Sequence, residues 1–226
     1  MVHVNEVRAQ VAASYARLGL PSWPDPHPAI ASPVLEEYSR VTSPERYRVV
    51  EARASVWAEV LSTLPSVEVE PVALTDLDRV AQAGGATAGV RVSSTRLGTL
   101  PLLLVTEQVP LAEGGQTMAV LRICVDRASV VLASAPECGC DACDSGSHSL
   151  LEAIDDTISE FVGGPSVLLR GPDWYADWRP GGGSSGGEGR GPDHDQMMQL
   201  CRRLSAGEAV PLPQGSEAFV STAWLR

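Results

Sequence analysis

The sequence predicts an α+β fold with N-terminal helices, an antiparallel sheet of about five strands, and C-terminal helices. Apolar residues recur every three or four positions near both ends of the chain, which is the helical period. After Pro65 the spacing changes to alternation, the period of a half-exposed strand. The segments that follow are joined by only a few residues, and short connections favour antiparallel pairing. With 226 residues and a hydrophobic share of 44%, residues 1–226 are expected to form a single domain.

The N-terminal part is predicted to hold a first helix, an extended segment, a short helix at Pro33–Val41 and a longer helix. Val7, Val11 and Tyr15 share one face of a helix that begins near Asn5. Residues 21–33 contain five prolines, which remove backbone donors and fix φ, so this stretch is predicted to be a proline-rich loop. A longer helix follows, and its buried apolar stripe includes Trp57.

The middle of the chain is predicted to be a meander. Its strands are placed at Val67–Val69, Val90–Val92, Leu100–Val109, Thr117–Val125 and Ser129–Ala133, with a short helix at Thr75–Ala83 after the first strand.

The C-terminal part is predicted to contain a helix from Ser149 and a last helix at Asp195–Ser205, with a closing strand at Ala218–Leu225. Adjacent Asp155 and Asp156 are expected on the solvated face of the first of these helices. Trp174 and Trp178 would lie one turn apart on a helix. Residues 180–192 contain seven glycines and are predicted to be a mobile glycine-rich loop, because glycine loses most entropy on ordering.

Charge and composition exclude several classes of function. A net charge of −11 argues against nucleic-acid binding and against docking on anionic lipid. All 17 basic residues are arginine, so Schiff-base and P-loop lysines are impossible. The sequence has no apolar run of membrane-spanning length and no signal-peptide pattern, which places the protein in the cytoplasm. Since the usual hydrolase motifs are missing, we expect a non-catalytic protein that binds a protein or a small molecule.

The densest chemical signal is a group of three cysteines. Cys138, Cys140 and Cys143 lie within six residues, and His148 follows closely. Zinc takes four tetrahedral ligands, and short Cys spacings allow a turn to supply several of them. One hypothesis from the sequence is therefore a zinc site formed by Cys138, Cys140, Cys143 and His148. Cys201 and His194 are more distant candidates for the fourth ligand.

Two other interpretations of the cysteines stay open. The thiols could simply be reduced and packed, or Cys140 and Cys143 could form a redox pair in a thiol-dependent redox protein or enzyme. Acidic neighbours such as Asp141 and Asp144 are expected to raise the thiol pKa values, which suits a metal site better than an attacking thiolate. The predicted loop of about 16 residues, from Ala133 to Leu150, has few apolar side chains to hold it, so a metal would supply order.

Two sequence blocks carry a family resemblance. The run CGCDACDSG at 138–146 is followed by LLEAIDD, and the run WYADWRPGG begins at Trp174. Together they resemble an uncharacterised actinobacterial family known as a domain of unknown function. The resemblance implies an actinobacterial source and no particular activity. The absence of Lys, with a single Asn, independently indicates a G+C-rich genome.

Overall fold

The fold is α+β, as the sequence predicts. The computed structural model describes residues 2–28, 32–72, 85–111, 115–188 and 191–225. Within them the α-helices are α1 Val4–Ala16, α2 Val49–Ser62, α3 Gly146–Gly163 and α4 His194–Ser205. Short 3₁₀ helices lie at Leu35–Tyr38, Pro44–Arg48 and Asp141–Cys143. None of the helices in this part of the chain is long and apolar enough to cross a membrane.

The first sheet is the predicted five-stranded antiparallel meander. Its strands are β1 Val67–Val72, β2 Ala86–Ser94, β3 Leu102–Pro110, β4 Thr117–Val125 and β5 Val131–Ala135, paired in sequence order. β1 lies at an edge of the sheet and pairs with β2 alone. An edge strand tolerates Pro71, which has no backbone N–H to donate to a second neighbour. The helix predicted at Thr75–Ala83 lies outside the described residues.

One face of this sheet carries the main core. Because side chains alternate along a strand, Leu102 and Leu104 of β3 face the helices while Leu103 and Val105 face the other side. α2 and α3 pack on the first of these faces, and α1 packs against these two helices. The largest fully buried side chains in this core are Trp57, Leu61, Leu102, Leu121, Ile123, Ile154, Ile158, Phe161, Leu168 and Trp224.

The C-terminal part forms a second sheet that the sequence did not reveal as a unit. Its strands are β6 Ser166–Arg170, β7 Trp174–Arg179, β8 Gly182–Gly187 and β9 Glu217–Ser221, in the order β8-β7-β6-β9. Leu168 of β6 contributes to the main core, whereas its neighbours Val167 and Leu169 pack with Cys201 of α4. The sheet is therefore covered by the main core on one face and by α4 on the other.

The glycine-rich segment corrects two predictions about local structure. Residues 182–187 form β8, a strand paired with β7, although the sequence predicted a loop there. β7 in turn holds Trp174 and Trp178 on a strand and not on a helix. Glycine is needed because a Cβ on Gly183 would lie 2.7 Å from the backbone oxygen of Asp177, and one on Gly187 would lie 2.4 Å from that of Asp173. The mobility of residues 180–192 stays a prediction.

A buried ion pair joins two of the core helices. Asp155 of α3 accepts hydrogen bonds from Arg53 Nε and from Trp57 Nε1 of α2, each at 2.8 Å. Arg53 and Asp155 are each only 5% exposed, and the Arg53 guanidinium lies over the Tyr15 ring of α1. The prediction that Asp155 lies on a solvated face is wrong. Asp156, by contrast, is exposed and pairs with Arg8 at the surface.

These adjacent aspartates offer a matched test of the buried pair. We expect Asp155→Asn to destabilise the protein by about 3–5 kcal/mol, because it leaves the Arg53 charge buried without its carboxylate. We expect Asp156→Asn to cost less than about 1 kcal/mol, since its pair is exposed to solvent. Equilibrium urea unfolding of both variants measures the difference. Equal losses for the two variants would show that the buried pair does not fix the helices.

Candidate metal centre

The three cysteines lie on a loop that connects the first sheet to α3. β5 ends at Ala135 and α3 begins at Gly146, so the loop is shorter than the sequence predicted. Within it, residues 141–143 form one 3₁₀ turn. The loop begins and ends on elements of the main core, which fixes both of its ends.

Asp141 ties this loop to the N-terminal part of the chain. Its carboxylate accepts hydrogen bonds from Arg40 Nε at 2.5 Å and from both the backbone N–H and the hydroxyl of Thr42 at 2.7 Å. Its own backbone N–H donates to the Arg40 carbonyl. Burial opposes ionisation of Asp141, but the hydrogen bonds from Arg40 and Thr42 outweigh it, so the pKa of this carboxyl is lowered.

Asp144 makes a second, more buried connection. Its carboxylate accepts hydrogen bonds from Trp23 Nε1 at 3.0 Å, from Arg46 at 2.7 Å and from the N–H of Gly146 at 2.9 Å. The Arg46 guanidinium contacts the rings of both Trp23 and Tyr47, 4.9 and 5.2 Å from their centroids. The acidic residues beside the cysteines are therefore paired with cations of the N-terminal segment. The loop is ordered by these contacts, which removes the sequence-based reason for expecting a metal to hold it.

Two glycines let the loop approach its neighbours closely. A Cβ on Gly139 would lie 2.1 Å from the sulfur of Met118 on β4. Gly146 has φ +83° and a Cβ there would lie 2.6 Å from the backbone nitrogen of Asp25. The loop is thus packed between the sheet and the proline-rich segment.

The structure brings the three sulfurs together. The Sγ atoms of Cys138, Cys140 and Cys143 all lie within 4.8 Å of one another, and those of Cys138 and Cys140 are 3.3 Å apart. A tetrahedral zinc ion with thiolates at about 2.3 Å would hold its sulfurs about 3.8 Å apart. The three cysteines are therefore close enough to hold one metal ion after small side-chain movements.

The three thiols differ in exposure and in acidity. Cys138 and Cys143 are exposed, while Cys140 is buried. The backbone N–H of Cys140 donates to the Cys138 sulfur and lowers the pKa of Cys138, against the opposing effects of burial and of Glu137. Hydrogen bonds to the Cys140 and Cys138 sulfurs raise the pKa of Cys143 to about 12. Without a metal, the thiol of Cys138 is therefore more easily ionised than that of Cys143.

The candidates for a fourth ligand are not in this cluster. The His148 side chain is 92% exposed, and its Nε2 lies 4.0 Å from Glu152 Oε2 on the same helix. Cys201 is fully buried against the second sheet, where burial raises its pKa to about 12. His194 hydrogen-bonds Ser185 through Nδ1. Among the described residues, the group close enough to share one ion is Cys138, Cys140 and Cys143.

An open cleft of about 540 Å³ adjoins the cysteines. Cys138 and Cys143 contribute to its wall, Tyr47 lies on the N-terminal side, and Ser149 and Leu150 come from the first turns of α3. Polar and apolar groups thus share a space that could admit a small molecule next to the sulfurs.

A family model described as "Family of unknown function (DUF6226)" matches residues 10–226. The chain belongs to this family. Neither the curated proteins nor the solved structures contain a significant match to it. The family match spans the cysteine loop, the N-terminal residues that hold it and the second sheet, so all parts of the candidate site lie within the matched residues.

The hydrogen bonds of Asp144 predict a measurable effect of its charge. Asp144→Asn should destabilise the protein by about 2 kcal/mol, because Arg46, whose side chain is only 19% exposed, loses its carboxylate partner. Hydrogen exchange of the backbone amides from Cys138 to Ser147 should become faster at the same time. Glu137→Gln, a change at an exposed position of the same loop, should alter stability by less than about 0.5 kcal/mol. Unchanged exchange in Asp144→Asn would show that the loop is held by other contacts.

Proposed function

We propose that this protein binds a thiophilic divalent ion, zinc in the first instance, through the thiolates of Cys138, Cys140 and Cys143. The observation that supports the proposal is the clustering of the three sulfurs within 4.8 Å. Thiolate ligands favour zinc and other soft ions over magnesium or calcium, which prefer oxygen ligands. Binding would displace the remaining thiol protons, because a cysteine ligates as the thiolate.

The fourth coordination position in this proposal belongs to a ligand from the cleft. The His148 side chain is exposed to solvent and lies 4.0 Å from Glu152. Cys201 is buried between α4 and the second sheet, away from the three cysteines. Structural zinc sites are closed by four protein ligands, whereas sites with three protein ligands leave a position for water or an exchangeable ligand. The arrangement around Cys138 and Cys143 favours the second type.

The order of the loop further supports a reversible site. Asp141 and Asp144 hold the loop through Arg40, Thr42, Trp23 and Arg46, and none of these contacts uses a sulfur. Metal binding then does not have to fold the loop, so release of the ion leaves the protein folded. Reversible binding of a metal ion, with a small molecule or a protein side chain as an additional ligand from the cleft, is consistent with a binding protein.

The family resemblance and the composition support a proposal for where this function takes place. We place the protein in the cytoplasm of an actinobacterium, where reducing conditions keep the cysteines available as ligands. The net charge of −11 disfavours nucleic acids and anionic membranes as partners. A protein or a small molecule is the partner that we propose.

The proposal predicts a defined metal stoichiometry. Protein purified without chelator and reconstituted with zinc under reducing conditions should hold about one zinc per chain, measured by elemental analysis. Replacing Cys138, Cys140 or Cys143 by Ser should lower this to a small fraction, because two thiolates hold zinc weakly.

His148→Ala and Cys201→Ser are the matched controls, and both should retain zinc near the wild-type level. Less than about 0.1 zinc per chain in the reconstituted wild type would refute the proposal. Loss of zinc in His148→Ala would instead restore His148 as the fourth ligand.

A further inference from the structure

Two of the three sulfurs are placed for bond formation with each other. The Sγ atoms of Cys138 and Cys140 are 3.3 Å apart, and a disulfide requires about 2.05 Å, so they must approach by about 1.2 Å. The sequence pointed to Cys140 and Cys143 as a redox pair. In the structure the Cys138 sulfur lies 3.3 Å from that of Cys140, and the Cys143 sulfur lies within 4.8 Å of both.

We propose that Cys138 and Cys140 form a reversible disulfide when the protein reacts with a hydroperoxide, and that this oxidation empties the metal site. The first part concerns the thiols alone. The second part rests on the proposed function, because there must be a bound metal to release.

Exposure assigns a different role to each cysteine. Cys138 is exposed and can meet an oxidant from solvent, whereas Cys140 is 7% exposed and is shielded from it. The Cys140 sulfur lies 3.3 Å from that of Cys138, so it can reach a product formed there. Cys138 is therefore the sulfur that attacks the peroxide, and Cys140 is the one that resolves the product.

The chemistry balances with a hydroperoxide as the only co-reactant. The Cys138 thiolate attacks the terminal peroxide oxygen, the O–O bond breaks, and the alkoxide or hydroxide leaves with a proton as alcohol or water. Cys138 is then a sulfenic acid. The Cys140 sulfur attacks it, the S–O bond breaks, and water leaves as the S–S bond forms. Two thiols are oxidised by two electrons, and one peroxide bond is reduced.

The loop can undergo this reaction without unfolding. Its attachments run through the Asp141 and Asp144 carboxylates, so joining two sulfurs breaks none of those hydrogen bonds. Cys138 and Cys143 both face the open cleft, where the side chains have room to move. Oxidation would leave Cys143 as the remaining thiol of the trio, and a single thiolate holds zinc weakly. The reduced and oxidised proteins would thus share a fold and differ in metal affinity.

Peptide mapping of the zinc-free protein tests the first part. Reduced protein is treated with hydrogen peroxide under chelation, free thiols are alkylated, and the chain is cleaved on the N-terminal side of aspartate. Cleavage before Asp141 and Asp144 separates a peptide ending at Cys140 from the tripeptide Asp141–Cys143. We expect a loss of 2 Da in the peptide that contains Cys138 and Cys140, with Cys143 recovered alkylated.

Other mapping results would overturn the proposal. A disulfide that links the two peptides would mean that Cys143 is a partner, as the sequence interpretation had it. Oxygen addition to Cys138 without any loss of 2 Da would mean that Cys140 does not resolve the sulfenic acid. In the variants, Cys143→Ser should still lose 2 Da and Cys138→Ser should not. Cys124→Ser, a change at a fully buried cysteine of β4, should react as the wild type does.

Zinc release tests the second part separately. Zinc-loaded protein treated with peroxide should release one zinc per chain, detected with a chromogenic chelator, in parallel with the loss of 2 Da. A thiol reductant should restore binding. If the disulfide forms but reduced protein never binds zinc, the proposed function fails and the oxidation stands. If zinc binds and peroxide produces no Cys138–Cys140 disulfide, the oxidation proposal fails alone.

Discussion

The carboxylate of Asp155 is the constraint that positions the rest of the structure. It lies in a nearly water-free site between α2 and α3, where one charge without the other would cost several kcal/mol. Trp57 donates to the same carboxylate, so α3 is fixed in rotation as well as in distance. Because the cysteine loop leads directly into α3, the direction in which the loop approaches the N-terminal segment follows from this contact.

A second constraint acts at the loop itself. Asp141 and Asp144 hold it from the side of the proline-rich segment, with hydrogen bonds to Thr42, Arg46 and Trp23. These carboxylates looked from the sequence like negative charge surrounding a cation. In the structure their charge is directed at arginines. A metal at the sulfurs would therefore stabilise the protein only by mass action, by an amount set by its concentration relative to its dissociation constant.

The meander was predictable because its signal is local. Apolar and polar residues alternate at the start of β1, and nearly continuous apolar runs mark β3 and β4 as buried strands. Connections of a few residues leave antiparallel pairing as the simple solution. β8 was not predictable in the same way, since a strand of glycine and serine has no side-chain period. Its order comes from pairing with β7 and from the closeness that glycine allows to Met198.

The buried ion pair has a signal in the sequence, because each of its residues lies on the apolar face of a helix. Asp155 precedes Ile158 by three positions and Val162 by seven, so it lies on the buried stripe of α3. Arg53 lies four positions before Trp57, on the buried stripe of α2. Two opposite charges, each on the apolar face of its own helix, predict a buried pair between those helices.

The candidate site shows where sequence reasoning stops. Three cysteines within six residues predicted that the sulfurs meet, because the chain between them is too short to separate them far. The partners of Asp141 and Asp144 come from about 100 residues earlier in the chain, and no spacing rule connects them. His148 was a candidate ligand because it is close to the cysteines along the chain. Its position in the first turn of α3, however, directs its side chain into solvent.

The loop separates the residues that hold it from those that can react. In residues 138–146 three cysteines are interspersed with two aspartates, and the 3₁₀ turn at Asp141–Cys143 directs neighbouring side chains to different surroundings. Asp141 and Asp144 contact the N-terminal segment, while Cys138 and Cys143 face the cleft. None of the hydrogen bonds of these two carboxylates involves a sulfur, so metal binding or oxidation at the cysteines would not break them. The loop therefore does not need an ion in order to fold, whereas the loop of a structural zinc site folds only around its metal.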